Sequence, residues 1–331
     1  MNQFLAKYLI SILVGVVVIP TFVSNPSPVF GGTQTDHIIL VVLEGIGNEQ
    51  IQSGELPVLQ RLAKEGAVTW SAKSITPSLS VPAMASLLTG LPVERHRINK
   101  EWEHYDFSRS FMRSPTMFDY MDLAGGQDTA LFLMDERFYQ LARPEIYVDT
   151  QTCGTAKPHC NPATLTVYIR DYLKKVTSQG GHGFRLFEVP GLLVAHLPAA
   201  AHVGKKRGWD SKRYHQALGS VDNAVQEIIN IYSDLGVLDN TMVMVIGLNG
   251  PGQDVQTASS AGHNMSTVPW FVWGANIKSG YSMTNSVSIL DTGATVMEAL
   301  GLETHTEWES HAHHEIFQVV PKRRTTGNES L

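Results

Sequence analysis

The 331-residue sequence contains only two cysteines, and charged side chains make up just 17% of it, with a net charge of -6. Two cysteines exclude a disulfide-dense small scaffold, and the missing basic excess argues against a nucleic-acid partner. A hydrophobic content of 43% argues against long disorder. Neither an internal repeat nor a long linker interrupts the chain, so a repeat array and a string of small domains are both disfavoured. A P-loop, a complete G-x-G-x-x-G and a G-x-S-x-G are all absent, which removes the commonest nucleotide-binding and serine-hydrolase readings. Gly45-Ile46-Gly47 follows an apolar run, but no third glycine stands at the required spacing.

Apolar runs are short too. The longest of them, Tyr8 to Val23, follows Lys7 and contains Pro20. It falls below the ~20 residues a bilayer span needs, so residues 1–28 are expected to be a cleaved export signal or a membrane anchor. Export would place the protein in the periplasm or outside the cell, or anchored facing outward. Cys153 and Cys160 sit in a Gly/Pro/Asn-rich stretch, where an exported protein is expected to form a small disulfide. A metal pair with His159 would need a second Cys/His pair nearby, and none is present. Residues 321–331 are expected to form a flexible tail behind a single domain spanning 29–320.

Between these ends, strand-like and helical patterns alternate. His37 to Leu43 is apolar at consecutive positions, as in a parallel strand covered on both faces. Helices are expected at Pro57–Glu65, Val81–Leu88, Thr116–Ala124, Ser211–Leu235 and Ile289–Leu300. Strands are expected at Thr129–Met134, Gly191–Leu197, Met242–Gly247 and Val268–Trp273. Leu218, Val221, Val225, Ile228, Tyr232 and Leu235 recur at spacings of three and four, which gives the longest helix a core-facing stripe. The alternation predicts an α/β fold, a three-layer α/β/α sandwich around a mostly parallel sheet.

Ligands of such sheets bind at the strand ends, which draws attention to Glu44 just beyond the first strand. Ser80 falls at the expected N-cap of the next long helix, with Pro82 in its first turn. A hydroxyl there faces free backbone N–H groups and the positive end of the helix dipole, where an anion is stabilised. Ordinary capping would place a serine at the same position.

The strand followed by Glu44-Gly45, the Ser80-Val81-Pro82 to Thr89-Gly90 helix with Pro92 to His96 behind it, and the Ala195–Leu235 pattern resemble the alkaline phosphatase superfamily. So do Val268 to Gly274 and Ser288 to Thr292, and the nearest branches are type I phosphodiesterases/nucleotide pyrophosphatases and sulfatases. This resemblance implies an alkaline-phosphatase-like fold, a two-metal site and hydrolysis of a phosphate or sulfate ester. By its pattern Ser80 is the nucleophile, while Glu44, His202 and His263 are metal ligands, with Glu44 in place of an aspartate.

Four positions depart from that pattern. Pro198 and Leu248 stand where carboxylates are expected, and Asn249 stands where an imidazole is expected. Glu101 replaces the asparagine that contacts the phosphate, and a carboxylate there would repel an anionic ester. A two-metal hydrolase needs carboxylates both to hold each cation and to offset its charge. A serine hydroxyl without a metal or an adjacent base is a poor nucleophile. The expectation is therefore an exported protein with a partly lost site, holding one zinc or other divalent ion weakly or none, and binding a small anionic ester or a protein partner. A membrane contact would run through the N-terminal segment. The alternative is a working phosphodiesterase, phosphatase or sulfatase-like hydrolase that uses Ser80 with a rearranged or single-metal site. His311, His313 and His314, near Glu309 and Glu315, read as a solvated tail segment with a metal-binding tract as the alternative, and His196 as a strand histidine bonded in the core or recruited to the site.

Overall fold

A computed structural model of the chain describes residues 35–106, 108–125, 128–142, 149–152, 160–178, 189–252 and 267–321. The expected export signal or anchor, Cys153, His263 and all but the first residue of the expected tail lie outside these residues. In chain order the strands are β1 (His37–Glu44), β2 (Ala67–Lys73), β3 (Thr129–Leu133), β4 (Asp149–Thr152), β5 (Leu192–Leu197), β6 (Thr241–Asn249), β7 (Thr267–Gly274) and the short β8 (Tyr281–Ser282). The helices are α1 (Asn48–Gln52), α2 (Pro57–Glu65), α3 (Ser80–Thr89), α4 (Val93–His96), α5 (Met117–Gly125), α6 (Pro162–Ser178), α7 (Ala199–Arg207), α8 (Lys212–Asp234) and α9 (Asp291–Ala299).

The strands form one sheet in the order β4-β3-β5-β1-β6-β7-β2-β8. Among the strands of the described residues, only β7 runs against the rest, antiparallel to both β6 and β2. This is the mostly parallel α/β architecture that the sequence predicts. Along β1, Ile38, Leu40 and Val42 enter one core with residues of α3, α5 and α9. Ile39, Val41 and Leu43 enter the other with residues of α2, α6 and α8. A strand that alternates between two apolar cores must itself be apolar throughout, which is why β1 shows no polar face.

Two local expectations change. Leu79, not Ser80, takes the N-cap of α3, and Ser80 is the first helical residue; its hydroxyl is turned to a carboxylate rather than to the helix. His313 is buried, so the solvated-tail reading of the late histidines is corrected at that residue. Its Nδ1 stands 3.3 Å from Glu315 Oε1 and its Nε2 stands 3.3 Å from Asp291 Oδ2, which ties the last described segment to the start of α9. His311 and His314 are exposed.

Candidate functional site

Parallel pairing brings three strand residues to one edge of the sheet. β1 and β5 are in register with Val42 opposite His196, and β1 and β6 with Glu44 opposite Asn249. Val42 and Glu44 face the same way along the pleat, so the imidazole from β5 and the carboxylate that ends β1 meet on one side. His196 Nε2 lies 2.6 Å from Glu44 Oε1, and both residues are fully buried. Ser80, entering from the start of α3, donates its hydroxyl to Glu44 Oε2 at 2.5 Å. Asn249 Nδ2 donates to Ser80 Oγ at 3.0 Å while Asn249 Oδ1 accepts Gly45 N at 3.0 Å.

Gly45 makes this turn possible. Its φ is +69°, and a Cβ added there would sit 2.6 Å from the Ala201 Cα in α7. A side chain at that position would be both strained and blocked.

Burial alone would raise the Glu44 carboxyl, but the His196 hydrogen bond and charge, the Arg137 charge and the Ser80 hydroxyl together bring it down to about 2. A carboxylate held that low is a weak base and takes a proton from a serine hydroxyl reluctantly. His196 Nδ1 is buried with no hydrogen-bond partner among the described residues, against an edge-on Phe138 ring whose centroid is 4.4 Å away.

A second cluster adjoins the first. Asp135 follows β3 and caps the short turn Glu136–Leu141 by accepting Arg137 N. Arg137 Nη2 lies 2.6 Å from Asp135 Oδ2, and Arg137 Nη1 donates to Glu101 Oε1 at 3.3 Å. His202, on α7, meets the same Asp135 oxygen through Nε2 at 3.2 Å. The Asp135 carboxyl would be raised by burial, but the hydrogen bonds from His202 and Arg137 hold it far below the usual carboxylate range. Glu101 Oε1 also accepts Val81 N at 3.0 Å. That N–H belongs to the first turn of α3, where an anion would otherwise be bound. Burial raises the Glu101 carboxyl, opposed by the Val81 N–H and the Arg137 charge.

The structure thus brings Glu44 and Ser80 into direct contact and joins His202 to them through Asp135, Arg137 and Glu101. Asn249 is a working part of the serine's surroundings. Pro198 stands at the N-cap of α7, and Leu248 is fully buried in the apolar core. Glu101 does not confront the helix N-terminus as an unpaired charge: the helix N–H and Arg137 bind it. Sequence reasoning missed Asp135 and Arg137, whose signal was their position just past a strand end.

Among the described residues, no group of three His, Cys, Asp or Glu side chains could hold a metal ion. Both Glu44 oxygens are already engaged by Ser80 and His196, and the Arg137 charge also acts on the carboxylate. Among the described residues, then, no ligand set fits the two-metal arrangement that the resemblance implies; His263 lies outside them. Also among the described residues, no helix is long and apolar enough to cross a membrane.

A family model for type I phosphodiesterase / nucleotide pyrophosphatase matches residues 38–250. No curated protein matches the chain. Solved structures share its fold. A 2-O GAG sulfatase, BT1596, superposes with a TM-score of 0.61 over 84% of this chain and 73% of its own, at 13% identity. BT4656, solved in complex with its substrate D-glucosamine-2-N,6-O-disulfate, gives 0.62 over 88% and 82%, also at 13% identity. A protein from a glycosaminoglycan-metabolism locus of Bacteroides thetaiotaomicron gives 0.56 over 80% and 72%, at 18% identity.

Proposed function

The chain belongs to the type I phosphodiesterase/nucleotide pyrophosphatase family of the alkaline phosphatase superfamily, and from that premise we propose that it acts by binding a ligand or partner, with ester hydrolysis slow or absent. The observation that carries this reading is the engagement of both Glu44 oxygens inside the protein, one by Ser80 and one by His196. Each oxygen so engaged spends a lone pair inside the protein, and a cation would have to compete with both contacts. The low pKa of Glu44 also makes it a poor acceptor for the serine proton.

Charge balance supports the same reading. Metal ions in a two-metal hydrolase offset the carboxylates around them; here Arg137 lies against Asp135 and Glu101, and its charge also reaches Glu44. The anion seat at the start of α3 is filled by Glu101, so a phosphate or sulfate approaching Ser80 must first displace a clamped carboxylate. A working single-metal hydrolase would require Glu44 to release His196 or Ser80 while Arg137 moved away. Export, with a disulfide between Cys153 and Cys160, is part of this proposal, resting on Lys7 and the apolar run behind it.

Turnover tests it. Purified protein with and without added zinc is given bis-p-nitrophenyl phosphate, p-nitrophenyl phosphate and p-nitrophenyl sulfate. Rates far below roughly 1 s⁻¹, and unchanged in Ser80→Ala, are expected. Turnover at or above that rate that is lost in Ser80→Ala would overturn the reading.

A further inference from the structure

The turn between α7 and α8 gathers positive charge. Residues 205–213 read Lys-Lys-Arg-Gly-Trp-Asp-Ser-Lys-Arg, five cations against one carboxylate in a chain whose net charge is -6. Lys205 is already engaged. Lys206, Arg207, Lys212 and Arg213 are exposed and engage no side-chain partner among the described residues. The acids beside them are turned elsewhere: Asp210 Oδ1 stands 3.5 Å from His215 Nε2, and Glu55 meets Nδ1 of the same imidazole. Helix energetics explain only half of the cluster. Lys206 and Arg207 suit the negative end of α7, but Lys212 and Arg213 stand at the positive end of α8, where acidic side chains would be favoured.

The shape of the turn is as particular as its charge. Lys205, Lys206, Arg207 and Gly208 are exposed at successive positions, and four such positions go once around a helix. The end of α7 therefore stands clear of the body on all sides, as a convex apex. It is also stiff. Trp209 packs inward so closely that a Cβ added to Gly204 would lie 2.1 Å from its ring, and it meets the Tyr214 ring edge-on with centroids 5.6 Å apart. Tyr214 in turn donates its hydroxyl to the Gly45 carbonyl at 2.8 Å, which ties the apex to the turn that carries Glu44.

Charges spread around a helix end cannot close on one small ligand, which binds in a concavity; they fit an extended anionic surface. A protein partner fits less well, because interface centres rest on aromatic and apolar anchors. Here the aromatic residue faces inward, and the exposed large hydrophobics of the described residues, Leu123, Val167, Val319 and Val320, all lie elsewhere. We propose that this apex docks the protein, by charge and without insertion, on a bilayer rich in anionic phospholipid. Without its four unengaged cations the chain would carry -10, with 21 Lys and Arg against 31 Asp and Glu, so repulsion turns every other face away from such a surface. Docking thus holds the Gly45 edge of the Ser80 site toward the membrane. The assignment is independent of turnover at Ser80 and of the N-terminal apolar segment.

Vesicle co-sedimentation of the full chain tests this, comparing phosphatidylcholine alone with phosphatidylcholine containing about a third phosphatidylglycerol. The ratio of the two partition coefficients is the readout, because an apolar segment contributes to both. The parent is expected to favour the anionic vesicles by about tenfold or more at low salt and to lose that preference at about 0.5 M salt. Combining Lys206→Gln, Arg207→Gln, Lys212→Gln and Arg213→Gln should abolish it, and the two double variants, one per helix, should each lose part of it. Lys64→Gln, Lys100→Gln, Lys174→Gln and Lys175→Gln together remove the same charge from exposed positions elsewhere and should leave most of the preference in place. Melting temperatures establish that the variants are folded. No preference in the parent, a preference that survives the apex variants, or equal loss in the control would overturn the proposal. So would apex-dependent binding of polyglutamate without binding to anionic vesicles, which would assign the apex to an acidic protein.

Discussion

Glu101 accepts the backbone N–H of Val81 at 3.0 Å, so the first turn of α3 is capped from outside by a carboxylate contributed twenty residues later. This contact turns an anion seat into an internal ion pair, because the same oxygen is held by Arg137. Replacing Glu101 by alanine frees the N–H and removes one of the two carboxylates that Arg137 faces. Glu101→Ala is expected to bind inorganic sulfate at least tenfold more tightly than the parent does, measured by calorimetry. Unchanged affinity would mean that Glu101 does not control the seat.

Arg137 serves as the fixed cation of the cluster. Removing it leaves Asp135, Glu101 and Glu44 without that charge, and breaking a buried pair of this kind costs roughly 3–5 kcal/mol. Arg137→Ala should be destabilised by that order at pH 7 in urea unfolding. The carboxylates would then titrate higher in the folded state than in the unfolded state, so the deficit should shrink as the pH falls below about 5. Arg137→Lys should recover only part of the loss, because an ammonium cannot reproduce the forked contact.

His313 and Asp291 form a pH-sensitive tie. Burial lowers the His313 imidazole, but Asp291 and Glu315 outweigh it and leave its pKa raised. The Asp291 carboxyl is raised by burial and lowered overall by His313 and the N–H groups of His311 and Ser288. A raised histidine contributes stability fully below its unfolded value near 6.5 and loses it as pH rises through the folded value. The depressed aspartate contributes above its unfolded value near 3.9 and loses it as pH falls. The stability gap between the parent and His313→Gln should therefore be widest around pH 5–6, at roughly 1–3 kcal/mol, and close toward alkaline pH. A gap independent of pH between 5 and 9 would contradict the ion-pair account.

Cys153 and Cys160 are expected to form a disulfide in protein isolated from its native compartment. Mass spectrometry of non-reduced peptides should show the two segments joined. Two free thiols would contradict the export reading.

Much of the fold was legible because its strands and helices differ in period. β1 and the stripe on α8 each bury a pattern that only one kind of element can satisfy. β2 was not, because it alternates between buried and partly exposed residues and carries Trp70 beside Ser71 and Lys73. α6 was missed although Leu165, Ile169, Leu173 and Val176 lie at helical spacing. Glu44 and Ser80 could be placed because each opens or closes an element. Arg137 could not, since Asp135-Glu136-Arg137 reads as an ordinary charged turn and only folding brings Glu101 and His202 to it. Asn249 read as a lost ligand, and only the approach of Gly45 and Ser80 reveals its two hydrogen bonds.

Zinc titration of the metal-stripped protein, followed by calorimetry and elemental analysis, tests the central claim most directly: that the Arg137 charge and the Ser80 and His196 hydrogen bonds take the place of metal ions around Glu44. The account predicts no stoichiometric uptake at micromolar zinc in the parent. It also predicts measurable uptake when Pro198→Asp, Leu248→Asp and Asn249→His are combined. Tight binding of two zinc ions by the unaltered protein would contradict it.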